Sequence, residues 1–236
     1  ILDYLRFQAA KKKVLAGMDF AFAYPVSDGD GFICGYFPGY PHSPDTAHDL
    51  WKLIDRLNAE RPDLYGGGIW DHPQLGAYYN APGKRRGTAF ASRRRLTEQV
   101  AREVKSPSPT FNCVGPAGVG TGSLAGMRAL HQLRSFAHIW PFDDPDTVTR
   151  PLHLVEIFPS YYFELAGIKP VNGAHGEHEN INKALACFGS DPVSADFKAN
   201  GPDHDEADAL ISAAALRWFS VQSDFWSVPA DARAEG

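Results

Sequence analysis

Four acidic residues stand at the ends or in the middle of apolar stretches, at three widely separated places in the chain. Asp19 follows a short apolar run, Glu156 interrupts a second one, and Asp205 and Asp208 open a stretch with helical periodicity. A carboxylate buried without a partner costs several kcal/mol, so these acids are expected to meet a cation, a metal ion or a hydrogen-bond donor. Two strands and one helix that each present a carboxylate are the parts of a divalent-metal site for phosphodiester hydrolysis.

The spacing of the last two acids places them on one face of a helix. Asp205 and Asp208 are three residues apart, so both carboxylates project from the same side of the first turn. Acids at a helix start also cap it and interact favourably with its dipole, which leaves Asp205 open between a structural and a functional role. Asp208 is followed by apolar residues and favours a functional role. For Asp19 and Glu156 the alternative is a solvent-facing position on a strand.

A cluster of these acids would suit hard divalent cations. Mg²⁺ or Mn²⁺ ions held about 4 Å apart can activate a water and stabilise a leaving oxygen. Such ions prefer carboxylate oxygens on rigid elements. The expected metal ligands are Asp19, Glu156 and Asp208, with Asp205 as an accessory ligand or a water-orienting group. Crowded carboxylates repel one another, so such a site is expected to be stable only with metal bound.

The elements that must position these acids are two strands and a helix. Apolar runs predict strands at 14–20 and 152–158, and helical periodicity predicts a helix at 205–220. Ser43 or Asp45 is the expected cap of the second helix, and the tail after Ser227 is expected to fray. The same periodicity predicts further helices at 1–12, 46–57, the second half of 88–105, 124–133, 161–166 and 180–188. The fold class is therefore α/β.

Composition is that of a soluble globular protein, and the length fits one large domain or a small domain that carries a long insertion. The chain has 236 residues, of which 44% are hydrophobic and 22% charged. Neither a signal-peptide pattern nor a run of about 18 apolar residues is visible, so no membrane partner is expected. Cys34, Cys113 and Cys187 are widely spaced. This pattern fits a reducing compartment and favours a cytoplasmic location.

The predicted strand–helix core is interrupted by a long segment of different character. Residues 26–145 contain many glycines, prolines and aromatic residues. We interpret 1–25 and 146–236 as the core, and 26–145 as an insertion that covers the site.

Charge limits the kind of nucleic-acid contact that is expected. A net charge of −5 excludes a protein coated with positive potential. A local basic patch formed by residues 84–86 (KRR) and 93–95 (RRR) could contact phosphate, and a solvated basic surface is the equal alternative.

Other candidate motifs are weaker. Residues 115–123 (GPAGVGTGS) lack the lysine of a phosphate-binding loop, although Thr121 and Ser123 could bind a phosphate at the helix start that follows. Residues 175–179 (HGEHE) match no standard zinc spacing, which favours a polar loop. The sequence contains no nucleophile elbow and no convincing cysteine–histidine pair, so serine- or cysteine-based hydrolysis is not expected.

Three segments together resemble a known family. Residues 14–25 (VLAGMDFAFAYP), 154–160 (LVEIFPS) and 204–213 (HDEADALISA) are similar to motifs of a predicted nuclease family of ribonuclease-H fold, domain of unknown function 429. The last of them is also similar to the final helix of Holliday-junction resolvases. Residues 95–98 (RLTE) and 119–127 (VGTGSLAGM) resemble segments of the family's insertion.

The resemblance implies roles for individual residues. Asp19 matches the acid of the fold's fourth strand, Glu156 that of the fifth, and Asp208 with Asp205 the carboxylates of the last helix. The family's first strand, which carries an Asp of its own, has no counterpart, and Asp3 does not match it. Either a segment of about three strands precedes residue 1, which we favour, or the chain cannot complete the usual site.

The resemblance also implies contacts from the insertion. Arg95, Glu98, Thr121 and Ser123 are the candidate substrate-binding residues. For Glu98, a salt bridge within its own helix is an equal alternative.

The expected function is metal-dependent hydrolysis of phosphodiester bonds in DNA or RNA, with Mg²⁺ or Mn²⁺ as the cofactor. One alternative is a non-catalytic binding or scaffold protein of the same fold. Another is a hydrolase of small phosphoesters or nucleotides, in which the aromatic residues of 32–40 would line a closed pocket. A homo-oligomer is left open.

Overall fold

Three short parallel strands form the sheet of this mixed α/β protein. They are β1 (Val14–Met18), β2 (Ala137–Ile139) and β3 (Leu152–Glu156), arranged in the order β1-β3-β2. The computed structural model describes residues 1–27, 32–115, 118–144, 150–169, 173–200, 204–229, 232–233 and 235. The predicted strands β1 and β3 are confirmed, and each ends two residues earlier than expected. β2 was not predicted, and it lies in the segment interpreted as an insertion.

Helices flank this sheet in the described part of the chain. The first and last of these helices were predicted to within three residues of their observed limits. The α-helices are α1 (Leu2–Ala9), α2 (Ala47–Leu57), α3 (Leu96–Ala101), α4 (Gly120–Leu133), α5 (Pro159–Leu165), α6 (His178–Cys187) and α7 (Asp205–Phe219), and 3₁₀ turns occur at Gly67–Asp71, Leu75–Tyr78 and Ala174–Gly176. None of the helices in the described residues combines the length and apolar character needed to cross a bilayer.

The cap of α2 differs from the predicted one. Thr46 is the N-cap, and its hydroxyl accepts a hydrogen bond from the backbone N–H of Asp49 at 3.1 Å. Ser43 instead accepts a bond from the Phe37 N–H, which orders the preceding loop. The prediction of Ser43 or Asp45 was wrong because Ser43, Asp45 and Thr46 are all good capping residues, and the local sequence does not decide among them.

The segment interpreted as an insertion shares its core with the sheet. Tyr36, Trp51 and Leu124 are fully buried in the same apolar cluster as Leu152 and Leu154 of β3. Residues between positions 26 and 144 therefore pack as part of the sheet's own core. The proposed boundary between residues 145 and 146 lies outside the described residues. A second apolar cluster joins α5, α6 and α7.

The C-terminal tail is tied to the rest of the molecule at Glu235. This side chain is fully buried and accepts hydrogen bonds from the N–H groups of Val26, Ser27 and Leu96, at 2.6, 3.1 and 2.7 Å. The prediction of a frayed tail was wrong at this residue, because one carboxylate joins two distant loops that the sequence alone does not bring together.

Two glycines of α4 have contrasting environments. A Cβ built on Gly126 would lie 2.2 Å from the ring of Phe20, the residue that follows Asp19, whereas a Cβ on Gly122 would meet nothing within 4 Å. The absence of a side chain at Gly126 thus lets α4 approach the end of β1 closely.

We expect Gly126→Ala to lower the free energy of unfolding by about 1–3 kcal/mol, because the Phe20 ring has to move. Gly122→Ala, the matched control in the same helix, should raise it by up to about 1 kcal/mol through helix propensity. Chemical denaturation of both variants measures the difference. Equal effects of the two substitutions would contradict the close packing of α4 against Phe20.

Candidate functional site

Asp19 lies at the carboxyl end of β1. Ala21 and Phe22, which follow it closely, are fixed by hydrogen bonds from their backbone N–H groups. The Ala21 N–H donates to Ser123 Oγ of α4 at 3.2 Å. The Phe22 N–H donates to Glu156 Oε2 of β3 at 2.9 Å. Because Met18 and Glu156 are register partners in the parallel ladder, Asp19 and Glu156 project from the same end of the sheet. The chain just after Asp19 is therefore anchored to both α4 and β3.

Helix α7 brings the other two acids to the same end. Asp205 and Asp208 in its first turn line one groove together with Asp19, and the groove has a volume of about 710 Å³. Close packing of α7 on β1 depends on Gly17, where a Cβ would lie 2.9 Å from Leu216 Cδ1. The structure thus brings together Asp19, Asp205 and Asp208, as the sequence predicted.

The surroundings of Asp19 raise the pKa of its carboxyl group. Its pKa is raised to about 6, first because surrounding protein displaces water from the carboxyl group, and then because Asp208, Glu156 and Asp205 repel its charge. The residue as a whole is nonetheless exposed to solvent. Both observations hold for a carboxylate in the wall of a groove, where protein atoms lie on several sides and water enters from one.

Glu156 is engaged by an arginine. Arg95 donates from Nη1 to Glu156 Oε2 at 2.7 Å and from Nη2 to Oε1 at 2.5 Å, and Oε2 also accepts the Phe22 N–H. A bidentate arginine–carboxylate pair is among the strongest hydrogen-bonded pairs in proteins. In this arrangement Glu156 faces Arg95, whereas the sequence predicted it to face a metal ion.

Arg95 and Glu98 form the buried core of this ion-pair network. Arg95 is 3% exposed and Glu98 4%, and Arg95 Nε donates to Glu98 Oε1 at 3.0 Å. Burial alone would lower the pKa of Arg95, but the carboxylates of Glu156 and Glu98 raise it above its ordinary value. Burial raises the pKa of Glu98, against the opposing effect of Arg95. Substrate contact by these two residues remains a prediction, and their contacts in the structure are with other protein groups.

Thr121 and Ser123 lie in the first turn of α4, which begins four residues before the predicted start at residue 124, and their hydroxyls are bonded within the protein. Ser123 is fully buried, donates to Val119 O at 3.0 Å and accepts the Ala21 N–H. Thr121 is exposed and donates to Cys113 O at 3.3 Å. Ser123 therefore positions the Asp19 segment. Residues 116 and 117 of the glycine-rich segment lie outside the described residues.

The basic patch is largely used internally. Arg93 donates to Gly35 O and Tyr36 O, at 3.1 and 2.5 Å, and Arg95 is buried. Lys84 pairs with Asp71 at 2.5 Å on the surface. Within the patch, only residues 84–86 are fully on the surface, and contact with phosphate requires such exposure.

Three further residues lie near the acids: His175, which the sequence raised only as part of the 175–179 segment, and His204 and Tyr162, to which it gave no role. His175 Nε2 lies 3.9 Å from Asp208 Oδ1, and the His204 ring lies 5.3 Å from the His175 ring. The pKa of Tyr162 is raised by burial and then by Glu156, Tyr161 and Asp19. The position of His204, next to the predicted helix start, was the available signal for the histidines. Within the described residues, no three histidine, cysteine or acidic side chains are placed so as to hold one ion.

The chain was compared with protein-family models, curated proteins and solved structures, and none of them matches it.

Removal of the Asp19 charge is expected to stabilise the fold in a pH-dependent way. A carboxyl group whose pKa is raised on folding lowers stability as the pH rises from 3.8 to about 6, because the folded state holds its proton more tightly. Asp19→Asn should therefore raise Tm at pH 7.5, with a gain that shrinks toward pH 4. Because Asp19 is solvent-exposed, we expect only about 1 kcal/mol, or about 3 °C.

Thermal melts at the two pH values measure this effect, with Asp191→Asn as the matched control. Asp191 is exposed and does not line the groove. An Asp19→Asn gain that is equal at both pH values, or a loss at pH 7.5, would show that the pKa of Asp19 is not raised on folding.

Proposed function

We propose that this chain is a divalent-metal-dependent phosphodiester hydrolase, acting on nucleic acid, with a ribonuclease-H-like core. The observation that carries the proposal is the convergence of Asp19 with Asp205 and Asp208 in one groove. Burial, and then repulsion from Asp208, Glu156 and Asp205, raises the pKa of Asp19, and a bound cation would relieve that repulsion.

The architecture is compatible with the proposed family. A parallel pair of strands carries Asp19 and Glu156 at equivalent ends, and α7 adds two acids from its first turn. This is the order that the family resemblance implies for the fourth strand, fifth strand and last helix. The family assignment rests on these placements and on the motif similarity.

The residues at the end of β1 fit a sparsely ligated Mg²⁺ or Mn²⁺ ion. Mg²⁺ commonly keeps several waters and is bound through one or two carboxylates together with substrate phosphates. Asp19 and Asp208 are the proposed ligands, and Asp205 is proposed to orient a water. Glu156 does not fit as a ligand while its two oxygens bond to Arg95.

Each of these residues has a distinct part in the proposed reaction. A bound divalent ion would stabilise negative charge on phosphate oxygens and lower the pKa of a water. Asp19 and Asp208 hold the charge that binds it. Glu156, through the Phe22 N–H, fixes the segment that carries Asp19, and Arg95 keeps Glu156 in place.

A small phosphoester is the second candidate substrate, because the groove volume of about 710 Å³ falls in the range of small-molecule sites. The expected aromatic pocket does not support it. Tyr36 and Phe37 are fully buried in the apolar core, and neither lines the groove.

The proposal is tested by Mn²⁺ titration calorimetry and by cleavage assays on the full chain. Substrates are labelled single-stranded DNA, duplex DNA, RNA and a four-way junction, with bis-p-nitrophenyl phosphate for the second candidate. We expect Mn²⁺ binding and metal-dependent cleavage, and a loss of about a hundredfold in cleavage rate for Asp208→Asn, which removes a metal ligand.

Asp191→Asn is the control for charge removal outside the groove and should leave cleavage unchanged. Cleavage of bis-p-nitrophenyl phosphate without cleavage of any nucleic acid would favour the small-phosphoester function. Absence of Mn²⁺ binding, or cleavage that Asp208→Asn does not affect, would contradict the metal-dependent mechanism and favour a non-catalytic binding protein.

A further inference from the structure

The carboxylate of Glu235 lies in a fully buried pocket whose walls are hydrogen-bond donors. Its Oε1 accepts the N–H groups of Val26 and Ser27, at 2.6 and 3.1 Å, and the Ser27 hydroxyl at 3.2 Å. Its Oε2 accepts the Leu96 N–H at 2.7 Å. Four donors from two separate segments therefore converge on one anion, and we call this concavity the Glu235 pocket.

Two arginines lie beside the Glu235 pocket. Arg95 Nη1 donates to the Glu235 carbonyl at 3.2 Å. Burial lowers the pKa of Arg93, against the opposing effects of Cys34 and Glu235, so the Arg93 guanidinium also lies near this carboxylate. Arg95 is shared with two further carboxylates of its ion-pair network. Two cations therefore face three carboxylates, Glu235 included, and the pocket suits an anion that carries one negative charge.

This set of donors is of the kind that recognises phosphate oxygens. Successive backbone N–H groups form concavities that bind anions. Arginine, hydroxyl and backbone N–H groups are the usual partners of nucleic-acid phosphates. A phosphodiester resembles a carboxylate in carrying a single charge and two free oxygens. It is thus the phosphate group whose chemistry matches the anion that Glu235 supplies.

The segment that carries Glu235 is fastened by this side chain. The backbone N–H groups of Ala232 and Arg233 bond to Pro229 O, and that of Glu235 bonds to Ala232 O, so all three stay within the segment. The Glu235 carboxylate, in contrast, bonds to residues 208 and 139 positions away in the chain. An anion that takes the same donors would therefore release the segment.

Arg95 connects the Glu235 pocket to the end of β1. It contacts both the Glu235 carbonyl and the Glu156 carboxylate, and Glu156 Oε2 accepts the N–H of Phe22, three residues after Asp19. A nucleic-acid strand with one phosphate at Asp19 has further phosphates on both sides of it. The pocket is therefore a candidate position for a neighbouring phosphate of the same strand.

We propose that the Glu235 pocket binds a phosphodiester group of a nucleic-acid strand, and that Glu235 competes with it as an intramolecular latch. The identity of the ligand rests on the proposed function, and the pocket is a second phosphate position on the same substrate. When the phosphate enters, its free oxygens take the donors of Val26, Ser27 and Leu96, and Glu235 moves into solvent. Removal of the latch therefore strengthens binding of the strand.

The probe is fluorescein-labelled octathymidylate, and its binding is measured by anisotropy in EDTA. Glu235→Ala should bind the probe at least about tenfold more tightly than the wild type, because the competing carboxylate is gone. Glu235→Gln, which keeps the size of the side chain, should bind with an intermediate affinity. Asp191→Asn, which removes an exposed charge elsewhere, should stay within about twofold of the wild type.

A proline at position 96 tests the pocket without removing a charge. Leu96 is the first residue of α3 and follows Arg95 in an extended conformation, so proline fits there and removes the N–H that the pocket uses. In the Glu235→Ala background we expect Leu96→Pro to weaken probe binding about tenfold. His178→Pro, the same change at the first residue of α6, should leave binding within about twofold.

NMR of the wild-type chain supplies a test that needs no variant. Saturating octathymidylate is expected to shift the amide signals of Val26, Ser27 and Leu96. Unshifted signals, or a Leu96→Pro variant that binds as well as its parent, would overturn the proposal. Preferential binding of phosphatidylglycerol vesicles over octathymidylate would also overturn it, and would assign the pocket to a lipid phosphodiester.

This proposal and the proposed function fail separately because probe binding is measured without metal. Pocket-dependent binding of octathymidylate without Mn²⁺-dependent cleavage would contradict the proposed catalysis alone. Mn²⁺-dependent cleavage by a chain whose Val26, Ser27 and Leu96 amides do not respond to the probe would contradict the phosphate site alone.

Discussion

Repulsion among carboxylates at the carboxyl end of β1 is the constraint around which this structure is arranged. Strands β1 and β3 run parallel and in register, so Asp19 and Glu156 reach the same end of the sheet, and α7 adds Asp205 and Asp208. Arg95 offsets the charge of Glu156 with a buried bidentate pair. The acids of the groove keep their repulsion, and burial together with this repulsion raises the pKa of Asp19 to about 6. A carboxyl group with a strongly raised pKa in a groove is a common feature of functional sites.

Small residues and buried ion pairs hold this arrangement against its own repulsion. Gly17 lets α7 pack on β1, and Gly126 lets α4 pack on Phe20. Arg95 joins Glu156 to Glu98 of α3, and Glu235 joins the loop after β1 to the start of α3. Removal of one member of such a network leaves a buried charge unpaired, which costs more than a surface pair contributes. The geometry of Asp19 therefore depends on residues far from it in the chain.

The sequence was sufficient for the parts of this structure whose signals are local. Apolar runs and helical spacing predicted β1, β3 and α7, and the structure brings Asp19 of β1 together with Asp205 and Asp208 of α7 in one groove. Glu156 of β3 does not line that groove. β2 was missed because three residues carry no periodicity. The partner of Glu156 was missed because Arg95 is 61 residues away and stands in a run of arginines that resembles a surface patch. The approach of His175 to Asp208 was not predicted because it depends on a turn before α6.

The most direct test of this account is an NMR titration of the Asp19 carboxyl group in the metal-free protein, with the wild-type chain and the Asp208→Asn variant compared. The account predicts a pKa of about 6 in the wild type and a lower value in the variant, because Asp208 is the strongest of the repelling charges. A wild-type pKa close to 3.8, unchanged by Asp208→Asn, would show that the acids do not share one electrostatic environment and would contradict the proposed site.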